Sequence, residues 1–226
     1  MTNEGLWSGM PADIGQGRHR LDADPGVVIG YAGARDAAAE FLLGSDARLR
    51  SGTVLYAGSR IGERFETGHH VVVREECRIG DDVSIWSNTL VDYGCRIGDR
   101  VKIHCNCYVA QYTEILDDAF LAPGVTVAND LYPGQEESAR LMSGPRIGAG
   151  AQIGVNVTLL PFVRIGDGCL VGAGSVVTHD IGPGLVAYGN PARVRGRVED
   201  LVDIAERVVP DPASRVPAPA GQVAPA

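Results

Sequence analysis

From Leu43 onward, every sixth position carries the same kind of side chain. Leu43, Leu49, Leu55, Ile61, Thr67, Val73, Ile79, Ile85, Val91, Ile97, Ile103, Val109, Ile115, Leu121 and Val127 follow in unbroken step, and all but Thr67 are aliphatic. Four places after each of them the residues are mostly small or medium, such as Ala47, Thr53, Ser59, Cys77, Val83, Thr89, Cys95 and Val101. Turn formers often follow the aliphatic residue, as in Ile61-Gly62, Ile79-Gly80-Asp81-Asp82 and Ile97-Gly98-Asp99. A helix repeats at about 3.6 residues and a single strand at 2, so a period of six fits neither. It fits a chain that makes a short strand and a turn in every hexad and stacks coil on coil, burying each aliphatic residue against the next. The spacing therefore predicts an all-β fold, a parallel β-helix with three hexads per coil.

Five coils are expected between Leu43 and Val127. Two more follow through Ile147, Ile153, Leu159, Ile165, Val171 and Val177 to Gly182, about seven in all. Val127 and Ile147 are twenty residues apart, which is not a multiple of six, so a loop over residues 128–146 must leave the coil. A long loop inside a compact repeat usually has a task.

The flanks break the rhythm. Residues 1–42 read as an N-terminal cap: a loosely ordered stretch to about residue 25, a strand at Val27–Tyr31, and a short Ala-rich helix over Arg35–Leu43 that covers the first coil. After Pro183-Gly184, residues 183–209 are expected to hold an extended segment to Arg193 and a short C-terminal helix. In that helix Leu201, Ile204, Ala205 and Val208 of Glu199–Val208 fall on one face. Residues 210–226, rich in Pro, Ala and Val, read as a disordered tail.

Composition narrows the function. The net charge is −8 with 21% charged residues, and there is no basic arm or patch, which disfavours a binder of nucleic-acid backbones. No apolar run is long enough to span a bilayer and no signal-peptide core opens the chain, so a cytoplasmic protein that does not engage membranes is expected. Of the five cysteines, Cys77, Cys95, Cys107 and Cys169 fall at the inward fifth place of a hexad and read as small core residues in a reducing compartment. Cys105 sits at a turn, where an exposed side chain is a plainer reading than a nucleophile.

Taken together, the hexads, the run Ile165-Gly-Asp-Gly-Cys-Leu-Val-Gly-Ala-Gly-Ser-Val-Val-Thr and the closing Tyr188-Gly-Asn-Pro-Ala-Arg resemble the left-handed β-helix acyltransferases of the hexapeptide-repeat superfamily. Within it, Thr67-Gly-His-His-Val-Val-Val-Arg-Glu and Val127-Ala-Asn-Asp-Leu-Tyr-Pro-Gly are most similar to enzymes that acetylate amino groups of nucleotide-activated sugars. The resemblance covers roughly residues 43 to 197. It implies a left-handed coil, a homotrimer, acetyl-CoA as co-substrate bound between neighbouring helices, a nucleotide-sugar or sugar acceptor, and no metal.

Residues eighteen apart should stack on one face of such a coil. Tyr93, Gln111 and Asn129 then share a column, as do His69, Ser87 and Cys105, with His104 beside the last. Asn129 and Asp130, where the regular coil releases its loop, are the leading catalytic candidates. The amide can hold an amine by its hydrogens and the carboxylate can orient it, although Asn-Asp is also a common loop opening. His104 is a candidate base, with His69, Gln111 and Tyr132 as substrate contacts; for each histidine a solvated turn residue is the bland alternative. The loop has no histidine of the kind many O-acetyltransferases of this superfamily carry, which favours an amine acceptor over an alcohol. Gly154, Gly172 and Ala173, with Gly174, offer small residues and free backbone for pantetheine, though tight turns demand glycine too. Arg193 and Arg195, with Arg197, are placed to meet CoA phosphates as the family's closing segment does, or form a solvated basic strip. His19 and His179 have no assigned role. The rival readings are an O-acetyltransferase, a γ-class carbonic anhydrase holding zinc through His69, His70 and His104, and a non-catalytic scaffold.

Overall fold

Each hexad makes a two-residue strand and a corner. In Arg78–Ile79, Ser84–Ile85 and Leu90–Val91 the second residue points inward and is buried while the first faces out. Three such units close one coil, and the whole is a three-sided parallel β-helix of about eight turns, seen in a computed structural model that describes residues 20–34 and 40–201. Face I has ten strands, face II eight and face III seven. Partners stand eighteen residues apart, as Ile85 opposite Ile103 on face I, Val91 opposite Val109 on face II and Ile97 opposite Ile115 on face III. The chain runs from face I to II to III and back, so three edges separate the faces: I/II, II/III and III/I.

Thr67, the one polar member of the aliphatic series, is buried without loss. Its hydroxyl oxygen accepts the Arg50 amide at 3.1 Å and lies 2.9 Å from the Thr53 hydroxyl. Cys77, Cys95, Cys107 and Cys169 are buried free thiols, as their inward place requires. The thiols of Cys77 and Cys95 donate to the carbonyls of Asp92 and Ala110, each at 3.2 Å, which closes an otherwise orphaned corner acceptor. The Ser59 and Thr89 hydroxyls do the same toward Arg74 and His104, both at 2.7 Å. Burial pushes the Cys107 and Cys169 thiols up, away from the nucleophilic thiolate.

Corners cost backbone energy. Twelve non-glycine residues among those described sit at φ between +55° and +66°, a region that costs about 1–2 kcal/mol per L-residue. Hydrogen bonds to the coil before offset it: Asn88 donates to the His69 carbonyl at 2.9 Å and Asp118 to that of Asp99 at 2.9 Å. The Ile-Gly-Asp signature belongs to edge III/I. A Cβ on Gly80 would meet the backbone of Gly98 at 2.9 Å, and Asp99 turns its carboxylate to accept the Asp81 amide at 2.9 Å.

Three expectations change. The coil begins earlier than Leu43, because Leu21–Ala23 and Val28–Tyr31 join faces I and II as an extra turn. Their partners are 26 residues on instead of eighteen, as Leu21 opposite Ala47, so the sixfold count misses them and the stretch before residue 25 is not wholly loose. The helix expected over Arg35–Leu43 ends in a strand, Leu42–Leu43, and residues 35–39 lie outside the described residues. The extended segment after Pro183 is a hairpin: Leu185–Gly189 adds in parallel to face I and Ala192–Arg197 returns antiparallel to it, around a cis Asn190-Pro191 bond. Of the C-terminal helix, the described residues hold a 3-10 turn at Val198–Asp200; its remainder and the tail lie outside them. The excursion falls where the count placed it. Glu114 pairs Arg146 32 residues on, and the loop carries one helical turn, Glu136–Ala139. No helix among the described residues is long and apolar enough to cross a membrane.

Ile97 is 4% exposed, and a carboxylate in its place would be stranded in a packed column. Ile97→Asp is expected to yield no soluble folded protein. Circular dichroism of any recovered material checks it, and a normal melting transition would mean the register is otherwise.

Candidate functional site

The expected site residues fall on two edges flanking face II. Edge I/II carries His104, Gly154 and Gly172 in one column, and His69, Ser87, Cys105 and Ala173 in the next. Edge II/III carries Glu75, Tyr93, Gln111 and Asn129 in one column, and Arg74, Asp92, Ala110 and Ala128 beside it. Within one chain the histidines and the Asn129 column are therefore apart.

Edge II/III holds a continuous polar relay. Asp92 is 5% exposed, and its carboxylate accepts from the Gln111 amide at 2.7 Å, the Tyr108 hydroxyl at 3.1 Å and the Tyr93 backbone amide at 2.8 Å. The Arg74 guanidinium stands 3.4 Å away. Arg74 also makes a bidentate pair with Glu75, which is 1% exposed, at 2.9 and 3.0 Å, and lies over the rings of Tyr56 and Tyr93. Glu75 raises the Arg74 pKa, so this buried carboxylate keeps a permanent partner. Burial, then the Asp92 charge, push the Tyr108 hydroxyl up to about 12, which keeps it a donor to Asp92.

A carboxylate can only accept, and that fixes the amides above it. Gln111 must turn its NH2 to Asp92 and so presents its carbonyl oxygen to Asn129, whose NH2 meets it at 2.5 Å. The Asn129 side-chain oxygen is left over. It has no partner among the described residues and stands at the neck of the loop, where the Asn129 carbonyl accepts the Ser143 amide at 3.0 Å. Column arithmetic found Gln111 and Asn129. It missed Glu75, one step lower in the same column, and Arg74, Asp92 and Tyr108, which lie outside that column and show no motif.

The other candidates are less committed. Asp130 organises the loop, its carboxylate accepting from the Tyr132 amide at 2.9 Å and from the Ser138 hydroxyl, as a turn-forming Asp does. Tyr132 is 62% exposed. The half-buried His104 ring lies against Phe120 at 4.9 Å and Trp86 at 6.2 Å. Exposed His69 is 2.8 Å from the Ser51 hydroxyl. Packing alone explains two glycines, since a Cβ on Gly154 would meet the Ala173 amide at 2.7 Å and one on Gly172 the Tyr188 Cβ at 2.7 Å. Ala173 is exposed at the edge beside them. Arg195 lies over the Tyr188 ring at 5.4 Å, whereas Arg193 bonds the carbonyl of its own neighbour, Ala192, at 2.9 Å. Among the described residues no three His, Cys, Asp or Glu side chains of one chain gather as metal ligands.

Comparison with known proteins agrees with this architecture. Galactoside O-acetyltransferase of Escherichia coli (strain K12) is 39% identical over 97 residues, 41% of this chain and 48% of that one. The chain thus spans about half the length of that curated relative, and less of others it matches. Among solved structures, the polySia specific acetyltransferase NeuO aligns with TM-score 0.50 and 20% identity over 79% of this chain and 86% of that one. Perosamine N-acetyltransferase from Caulobacter crescentus, in complex with CoA and GDP-perosamine, aligns with TM-score 0.46 and 23% identity over 66% and 56%. At such identity the likeness to NeuO concerns the fold alone. Residues 144–179 match the family described as bacterial transferase hexapeptide (six repeats). The same six-residue unit runs unbroken from Leu43 to Val127, so the matched segment is one part of a longer hexapeptide-repeat coil.

Proposed function

We propose that this protein transfers an acetyl group from acetyl-CoA to the amino group of a nucleotide-linked sugar. The observation that carries the reading is the relay from Asp92 through Gln111 to Asn129, which leaves a side-chain oxygen at the loop neck able to accept a hydrogen bond but not to give one. Such an oxygen holds an amine by one N–H and leaves the nitrogen lone pair free to attack. The amine nitrogen bonds to the thioester carbon, the C–S bond breaks, and the ammonium proton goes to the departing thiolate, giving the amide and CoA thiol. The small side chains of edge I/II beside Tyr188 and Arg195 leave room for pantetheine, and Arg195 is steadied by the ring for a phosphate. That arginine is the better supported of the two.

The acting unit is a homotrimer. The outward column of face II is mostly apolar, with Val54, Val72, Leu90, Tyr108 and Val176 facing out beside Thr126 and Thr158, while face III is charged. The loop adds exposed Leu131, Tyr132 and Leu141, at 52%, 62% and 70%. Apolar surface of this extent on one side favours contact with another copy. Copies packed through face II bring edge II/III of one toward edge I/II of the next, and so His104 and the acyl carrier toward Asn129. The second reading is transfer to a sugar hydroxyl, as the name of the Escherichia coli relative states for that protein. His104, half-buried against Phe120, would then be the base.

Thiol release from acetyl-CoA with a panel of nucleotide amino sugars tests the reading, with amine acceptors expected to outpace their hydroxyl counterparts. Turnover on hydroxyl sugars alone would move the assignment to the second reading. Asn129→Ala is expected to lower turnover by roughly tenfold to a thousandfold with the trimer intact, the range for one well-placed polar group. Unchanged kinetics would remove Asn129 from the site. Leu90→Glu is expected to give monomers of unchanged β content by sedimentation and circular dichroism, and a trimeric variant would take face II out of the interface.

A further inference from the structure

Face III carries a feature that acetyl transfer at Asn129 does not use. After Leu42 its outward column reads Arg60, Arg78, Arg96, Glu114, Arg146 and Arg164, one residue per coil. The pairing is in register, with Arg60 opposite Arg78, Arg78 opposite Arg96, and Arg146 opposite Arg164. Like charges thus stand one strand spacing apart, ~4.8 Å. Glu40 answers Arg60 at 2.8 Å and Glu114 answers Arg146 at 3.3 Å. Among the described residues, the guanidinium groups of Arg78, Arg96 and Arg164 have no partner. Like charges directly opposite weaken a sheet. In a chain of net charge −8 an arginine stripe is not a by-product of composition.

Alongside the stripe runs a shallow groove of about 540 Å³, floored by the edges of Ile79 and Ile97 and by Gly80 and Gly98, with no aromatic residue in its lining. We propose that face III docks a linear carboxylated polysaccharide, laid along the coil axis with its C–H faces on the apolar floor and its carboxylates on Arg78 and Arg96. Arginine matches a carboxylate with two parallel hydrogen bonds. An extended peptide would find no free strand edge here, because the strands that carry Arg78 and Arg96 are already hydrogen-bonded to neighbours on both sides. Single-stranded nucleic acid gains much of its affinity by stacking on aromatic rings, which this groove lacks. The proposal rests on face III and is independent of what happens at Asn129.

Calorimetric titration of the full chain with polygalacturonate at low salt tests it, with neutral dextran and an oligo-dT strand as comparisons. Binding to polygalacturonate is expected, weakening as salt rises, with none to dextran. The double variant Arg78→Glu, Arg96→Glu is expected to lose at least about tenfold in affinity. Its melting temperature should fall slightly, because the new carboxylate at position 78 meets Arg60 whereas the one at position 96 faces carboxylates at 78 and 114, and its thiol release with a small amino sugar should be unchanged. No binding by the parent protein, variant affinity within about twofold of the parent, or tighter binding of oligo-dT would overturn the proposal.

Discussion

The structure depends on coils that repeat at eighteen residues and lock through two matched ladders, the backbone hydrogen bonds of the faces and the aliphatic columns within. Neither ladder stands alone. A strand of two residues is too short to hold a register by hydrogen bonds, and the inward Ile85, Ile103 and Leu121 set it by packing, each fully buried. The corners can then adopt left-handed backbone at Asn88, Asn106 or Asp118 because their amides are already committed to the preceding coil.

That rigidity makes a chemical site possible on an edge of the prism. Asp92, Gln111 and Asn129 come from three successive coils, so their spacing is inherited from strand spacing and needs no flexible loop. Asp92 is buried as a charge because four donors surround it, and Arg74 is shared between Asp92 and buried Glu75. Breaking any member leaves a buried charge short of a partner, so the cluster is stiff as well as polar. The same regularity explains face III, where arginine at the outward place of five coils, interrupted by Glu114, becomes a stripe of charge.

Much of this was legible in the sequence because a period of six writes the inward positions directly. Cys77, Cys95, Cys107 and Cys169 were placed in the core by count alone, and the loop by the broken interval from Val127 to Ile147. The turn at Leu21–Tyr31 was not legible, since its pairing interval is 26. The hairpin after Pro183 is not legible either, because nothing in Leu185–Arg193 announces the strand that returns through Arg197. At the candidate site, stacking by eighteen joins Gln111 to Asn129. It cannot show that Asp92, one column aside, decides which way both amides face.

The most direct test is therefore a double-mutant cycle between Asp92 and Asn129, read as kcat/KM for acetyl transfer to an amino sugar. If Asp92 acts by orienting the amides that end at Asn129, Asp92→Leu added to Asn129→Ala should cost little beyond Asn129→Ala alone. Losses that multiply as independent effects would contradict the account.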